Sequence, residues 1–215
     1  NKIQNFISKN HQLLIWIDPE IAGLQLEVKN LENKLNSFDN ERIELEKLLS
    51  DFQHRHSIEL GDIILDILKL RKQKFKKDKI KYEEAENDER KYREQFDAEN
   101  EKEIFELTED QKLELKKKFR KATVLCHPDK VSDEFHDAAH LKFIELKQAY
   151  DANDLKNVRI ILEDLEKGNF FKSKSETVLK KDLLKVAIAK LRRQIKSIES
   201  IIISIKESET YNTII

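Results

Sequence analysis

Apolar residues recur at alternating steps of three and four along the early part of the chain, just after Asp18 and Pro19. Asp18 can cap a helix and Pro19 suits the first helical turn. The apolar series comprises Ile21, Leu24, Val28, Leu31, Leu35, Phe38, Leu45, Leu49 and Phe52, and Arg42 interrupts it. This spacing is the a/d repeat of a coiled coil. It predicts a coiled-coil helix whose partner comes from the same chain or from a second copy.

The apolar seam changes near His54, His56 and Gly61. A second run follows, at Leu60, Ile63, Ile64, Ile67, Leu68 and Leu70. A turn between residues 53 and 62 predicts an antiparallel hairpin over residues 18–70, and one continuous helix with a shifted seam is the alternative. The two histidines point to different helix faces and no ligand set accompanies them, so we expect no metal site.

Residues 71–103 are mostly charged, with basic residues first and acidic residues after them. Such a segment predicts a solvent-exposed helical arm or linker. The alternative is that the lysines bind nucleic-acid phosphates, namely Lys72, Lys74, Lys76, Lys77, Lys79 and Lys81. Nucleic acid is not the expected partner, because the acidic block beside the lysines opposes a polyanion and no aromatic platform for bases accompanies them.

Two amphipathic stretches then flank a short loop. Thr108 and Gln111 form the capping box of a helix over residues 109–126, whose apolar side faces one way and whose lysines and arginine mainly face the other. The second stretch covers residues 140–150. Between them stands His127-Pro128-Asp129-Lys130.

The loop residues suit recognition by a partner. His127 is a compact donor and acceptor at a helix exit, where the dipole favours a cationic or polar group. Pro128 stiffens the turn, and Asp129 presents a carboxylate to donors on a partner. A stiff loop loses less entropy when it docks. This reading requires the three side chains to point outward.

This helix–loop–helix resembles a J-domain, the module through which DnaJ-class co-chaperones act on ATP-hydrolysing chaperones of the DnaK class. The resemblance covers about residues 105–153 and includes the aromatic-basic-basic sequence Phe119-Arg120-Lys121. The residues that match the J-domain core are Phe119, Phe143, Leu146, Ala149 and Tyr150. The usual first-helix signature is absent, although Ile104, Phe105 and Leu107 can supply its packing. Ala122 and Cys126 stand where larger residues are usual.

The resemblance implies a chaperone-binding surface and a function. The surface would comprise His127, Pro128, Asp129, Lys130, Lys116, Lys117, Arg120 and Lys121. Docking there would accelerate the partner's ATP hydrolysis, while the coiled coils bind an unknown client or serve assembly, including homodimerisation. The protein itself would be no enzyme and would need no cofactor or metal. The alternative is a structural coiled-coil protein whose J-like unit, residues 104–153, is inactive.

The rest of the chain predicts two further helices. Asp154 can cap a short helix within residues 154–168, with Leu155, Val158, Ile161, Leu162 and Leu165 facing inward and Gly168 ending it. A terminal coiled-coil helix over residues 176–207 has its seam at Leu184, Ile188, Leu191, Ile195, Ile198, Ile202 and Ile205. Leu179, Leu183, Ala187 and Ile201 widen that seam. We expect this helix to dock on the N-terminal coiled coil, with homodimerisation as the competing arrangement.

Composition agrees with an all-α fold. The 215 residues are 39% charged and include only three Gly and two Pro, which favours long helices. The net charge of −1 implies no general attraction to polyanions. A single cysteine fits a reducing compartment, and no apolar run is long enough to span a bilayer, so we expect a cytoplasmic protein. The start at Asn1 and the absence of Met indicate a piece of a longer protein.

Overall fold

The computed structural model describes residues 18–168, 171 and 173–215, and the N-terminal segment 1–17 lies outside them. The described part is helical and contains no strand beyond one isolated bridge between Val131 and Ser173, so the predicted all-α class is confirmed. Its helices are α1 Pro19–Lys74, α2 Lys79–Asn100, α3 Glu109–Cys126, α4 His136–Asp151, α5 Leu155–Glu166, α6 Lys174–Thr177, α7 Lys181–Lys206 and α8 Glu209–Ile214. A 3₁₀ turn, Asp133–Phe135, precedes α4. None of the described helices is both long and apolar enough to cross a membrane.

Helix α1 is the longest of the described helices. It has 56 residues and is therefore about 84 Å long. The Asp18 side chain accepts a hydrogen bond from the Glu20 N–H, as the capping pattern predicts. The predicted turn between residues 53 and 62 is wrong, because the helix continues through it. Gly61 is there for another reason: a Cβ at this position would lie 2.0 Å from the ring of Phe96.

Helix α2 folds back along the second half of α1. The chain reverses at residues 75–78, beyond the predicted hairpin over residues 18–70. That hairpin prediction is wrong, and its alternative, one continuous helix, is confirmed. Arg71 pairs with Asp88 at 2.8 Å, and His54 lies 3.2 Å from Glu99, which sets the two helices antiparallel. The charged segment is helical and mostly exposed, as predicted, but it packs along α1 and does not project as a free arm. Ala85 and Gly61 lie within the contact, and small residues there let the helices approach closely.

Helix α7 packs on the first half of α1, as the intramolecular arrangement predicted. Lys181 pairs with Glu20 and Lys206 pairs with Glu41, each at 2.6 Å, so the two helices run parallel. The buried core between them contains Val28, Leu35, Leu184, Ile188, Leu191 and Ile195. The wider seam is not used in full, since Leu179, Leu183 and Ile201 are exposed.

Helices α3, α4 and α5 form a small unit, residues 109–166, that we call the three-helix unit. The five predicted inward residues of α5 are all buried. Gly168 follows the end of this helix and has a φ of +105°. The core includes Leu115, Phe119, Leu146, Tyr150 and Leu162, and Ile43 of α1 joins it. The unit therefore lies against the middle of α1. Residues 102–108, which precede α3, are irregular and contribute the partly buried Leu107.

Candidate partner-binding site around the His-Pro-Asp loop

A capping box starts α3, as the sequence predicts. The Thr108 hydroxyl accepts from the Gln111 N–H over 3.3 Å, and the Gln111 side chain accepts from the Thr108 N–H over 2.9 Å. These reciprocal bonds satisfy two donors that a helix start leaves unpaired. The box fixes where α3 begins and hence which of its side chains face the core.

Two ring contacts align α3 with α4. Phe119 stacks on Tyr150 with ring centroids 4.0 Å apart. Near the loop, His127 meets Phe143 edge-on at 5.2 Å. As the residue number rises in one helix it falls in the other, so the two helices are antiparallel with His127-Pro128-Asp129 at their joined end. The matched core residues Phe119, Leu146, Ala149 and Tyr150 are buried, and Phe143 packs partly buried beside them.

The loop backbone is held by its own hydrogen bonds. His127 ends α3 in an extended conformation, which the following Pro128 favours. The Lys130 N–H donates to the His127 carbonyl over 3.1 Å. The Asp129 N–H donates to Nδ1 of His127 over 3.2 Å. Since Nδ1 accepts this bond, the ring of a neutral His127 carries its proton on Nε2.

The expectation that the loop points outward is wrong for His127. The residue is only 4% exposed, and its Nε2 lies 3.2 Å from Oδ2 of Asp39 on α1. Pro128 and Asp129 are half-buried, and Lys130 is buried. The reason is that α1 packs directly across the joined end of α3 and α4. This contact between distant segments has no counterpart in the local pattern.

Asp39 is shared between two partners. Its Oδ1 accepts from Nε and Nη2 of Arg42 at 2.9 and 2.7 Å, while Oδ2 faces His127. Burial raises the pKa of the Asp39 carboxyl, but the hydrogen bond from His127 and the charge of Arg42 outweigh it, so the pKa lies below its ordinary value. Asp39 is therefore ionised at neutral pH and acts as an acceptor for the loop histidine.

The cationic flank of the loop is also in contact with α1. Arg120 makes a two-pronged pair with Glu44, at 2.5 and 2.7 Å. Lys116 reaches the same carboxylate at 2.9 Å. Lys121 instead pairs with Glu166 of α5, and Lys117 is exposed. Two of the four predicted flank residues are thus turned toward α1.

Lys130 and the segment before α7 close the loop from another side. The Lys174 N–H donates to the Lys130 carbonyl over 2.8 Å, next to the bridge between Val131 and Ser173. Burial lowers the pKa of the Lys130 ammonium, and its Nζ donates to the Val124 carbonyl over 3.4 Å. Lys130 therefore ties the loop to its own helix and does not project toward a partner.

A row of buried polar residues on one face of α1 was not predicted from the sequence. Its members are Glu32, Asn36, Asp39 and Asn40, all buried. Asn40 accepts from the Thr123 hydroxyl at 3.0 Å, and Glu32 accepts from Ser175 at 2.8 Å. A signal was available: Asn and Asp are disfavoured in helix interiors, and these four residues recur at helical spacing beside Ile43.

Cys126 carries no nucleophilic chemistry in this setting. The thiol is fully buried in the core of the three-helix unit, and burial raises its pKa to about 12. A thiolate is needed for attack, so the neutral buried thiol is unreactive. Among the described residues, no group of three or more His, Cys, Asp or Glu side chains is placed to hold a metal ion.

The lysines predicted as a nucleic-acid alternative lie at the tip of the α1–α2 hairpin. Lys72 is 2.5 Å from Glu89, and Lys81 pairs with Asp78 at 3.3 Å. Their charge is thus partly neutralised within the protein, which weakens a phosphate-binding role.

Comparison with known proteins gave no match. No protein-family model, no curated protein and no solved structure is similar to this chain at a significant level.

Proposed function

We propose that this protein is a co-chaperone of the J-domain type that binds a DnaK-class chaperone and stimulates its ATP hydrolysis. It would act in the cytoplasm, without catalytic activity of its own, and its coiled coils would bind a client or serve assembly. The observation that carries the proposal is the antiparallel α3–α4 pair with His127-Pro128-Asp129 at its joined end. The contact between His127 and Phe143 supports it, because it fixes the motif on a rigid base.

The cationic flank gives the proposed surface its charge. Lys116, Lys117 and Arg120 lie on the side of α3 that faces away from its core. Guanidinium and ammonium groups in this arrangement suit an acidic partner surface, and Arg120 already shows the two-pronged geometry that carboxylates accept. Such charges mainly raise the association rate and the specificity of docking.

A second candidate is a structural protein in which the three-helix unit only braces α1. The burial of His127 against Asp39 favours it, since Nε2 of His127 and Nζ of Lys130 are then both bonded within the chain. In this case the motif would orient helices and recruit no ATPase.

A steady-state ATPase assay with a purified DnaK-class chaperone separates the two. Under the proposal the chain accelerates hydrolysis, and His127→Gln abolishes the acceleration. His136→Gln is the matched control, because His136 lies outside the loop and is only half-buried at the start of α4. Loss of stimulation in both variants would indicate a general folding defect. No stimulation by wild type or by a variant with the loop freed from α1 would favour the structural protein.

A further inference from the structure

The joint between the three-helix unit and α1 is polar, unlike the two cores on either side of it. It consists mainly of hydrogen bonds and ion pairs, namely His127 with Asp39, Thr123 with Asn40, Lys116 and Arg120 with Glu44, and Lys47 with the carbonyl of Asp151. Ile43 is the α1 residue that enters the apolar core of the unit. The α1–α7 contact, by contrast, is a continuous apolar seam.

A polar joint of this kind opens more easily than an apolar one. Its groups can exchange their protein partners for water, so each neutral hydrogen bond has a small net value, and partly exposed ion pairs such as Arg120 with Glu44 contribute little. The joint also contains a mismatch, because the buried Oδ1 of Asn36 has no hydrogen-bond partner among the described residues. A buried unpaired acceptor is costly, and separation would hydrate it.

The joint uses the same groups that a chaperone would need. Lys116 and Arg120 are one helical turn apart, and Glu44 satisfies both. Oδ2 of Asp39 accepts a hydrogen bond from Nε2 of His127. An acidic face of α1 thus occupies the position that an acidic partner surface would occupy. The two cannot be bound at once, since His127 is buried while α1 is in place.

We propose that α1 is an internal competitor of the chaperone: its face at Asp39, Asn40 and Glu44 closes the His-Pro-Asp loop, which becomes available only when α1 separates from the three-helix unit. This inference depends on the proposed function and adds its regulation. A site that is open in a fraction of molecules binds with its affinity reduced by that fraction. Whatever displaces α1, including a client or assembly partner on the coiled coils, would therefore activate the protein.

A reversible cross-link tests the inference directly. The Asn40→Cys and Thr123→Cys pair, in a Cys126→Ala background, places two thiols where side chains now lie 3.0 Å apart. Oxidation should lock the closed form and abolish stimulation of the chaperone's ATPase, and reduction should restore it. Failure of the pair to cross-link would overturn the closed arrangement. Equal stimulation by the locked and reduced forms would overturn the competition.

A charge reversal tests the inference in the opposite direction. Glu44→Lys sets like charges against Lys116 and Arg120 and should open the joint. Glu41→Lys is the matched control on the same helix, because Glu41 pairs with Lys206 and not with the three-helix unit. We expect about fivefold or greater stimulation over wild type from Glu44→Lys at subsaturating concentration, and little change from Glu41→Lys. Unchanged stimulation from an opened Glu44→Lys variant would contradict the inference.

Opening itself can be measured without a chaperone. A single cysteine at the buried position Asn40, again in the Cys126→Ala background, should react with a thiol reagent at a rate set by separation of α1. Glu44→Lys should accelerate this reaction and Glu41→Lys should not. Faster labelling without ATPase stimulation by any tested chaperone would mean that the proposed function is wrong, and the competition with it. Unchanged labelling would mean that Glu44 does not hold the joint closed, which overturns the inference alone.

Discussion

Gly61 of α1 lies directly against the ring of Phe96 of α2: a Cβ on Gly61 would stand 2.0 Å from Cε2 and 2.3 Å from Cδ2. No side chain larger than hydrogen fits without displacing that ring. The glycine is therefore a packing requirement inside a continuous helix, although glycine costs helix stability in such a position.

Gly61→Ala is expected to destabilise the α1–α2 hairpin, by about 1–3 kcal/mol, because the overpacking exceeds the gain in helix propensity. Gly23→Ala is the matched control in the same helix, since nothing lies within 4 Å of its added Cβ. That variant should gain about 0.5–1 kcal/mol. Urea unfolding followed by circular dichroism measures both. Equal stabilisation by the two substitutions would contradict the close approach of Phe96.

Asp39 should make stability depend on pH in the acid range. Its pKa in the folded state lies below its ordinary value of 3.8, so the ionised carboxylate contributes stability that is fully present above that value. This contribution is lost as the pH falls through the folded-state pKa. Asp39→Asn should therefore be less stable than wild type at pH 7, by about 1–3 kcal/mol, and the difference should shrink below about pH 4. A constant difference between pH 7 and pH 3 would contradict the assignment.

Glu32 should show the opposite dependence. Burial raises the pKa of its carboxyl, and the hydrogen bonds from Ser175 only partly offset this. The folded state then binds the proton more tightly, so the contribution of Glu32 is fully present below its ordinary value of 4.5 and is lost as the pH rises through the folded-state pKa. Glu32→Gln should remove this part of the pH profile. The comparison is a set of unfolding curves between pH 4 and pH 8.

A charge introduced on α7 should lower the stability of the protein only on the buried side of that helix. Leu191 is 3% exposed against α1, whereas Leu183 on the same helix is 54% exposed. Leu191→Asp buries an unpaired carboxylate and should cost more than about 3 kcal/mol. Leu183→Asp should change stability by less than about 0.5 kcal/mol. If the two variants unfold alike, the parallel docking of α7 is wrong. A mass measurement in solution shows whether either variant is a monomer or a dimer.

Cys126 should be unreactive in the native protein. It is the single cysteine of the chain, it is fully buried, and its pKa of about 12 keeps it protonated at pH 8. A thiol reagent should therefore modify it only on unfolding or local opening of the three-helix unit. Rapid modification at pH 8 without denaturant would contradict this burial.

Local signals predicted much of the fold. The three-four spacing identified α7 and the coiled-coil half of α1, and Thr108 with Gln111 marked the start of α3. These features depend on residues a few positions apart, which a sequence displays directly. Gly61 misled the prediction, because the sequence shows a helix breaker but not the ring of Phe96 that approaches it.

The sequence predicted the helices and core of the candidate site but not its contact with α1. The antiparallel pair and the core around Phe119 and Tyr150 follow from local pattern and resemblance. The contact of His127 with Asp39 joins residues 88 positions apart. No spacing rule reveals such a pair, and the polar residues of α1 looked like ordinary solvated positions within a coiled coil.

The uninterrupted run of α1 sets the distance between the His-Pro-Asp loop and the tip of the α1–α2 hairpin. From Asp39 to Lys74 the helix rises by about 50 Å, and α2 runs antiparallel along its distal half. In the closed form, the lysine-rich tip of the hairpin is thus kept a set distance from His127. Inserting or deleting a heptad in both arms of the distal hairpin would change that separation by about 10 Å without altering either end.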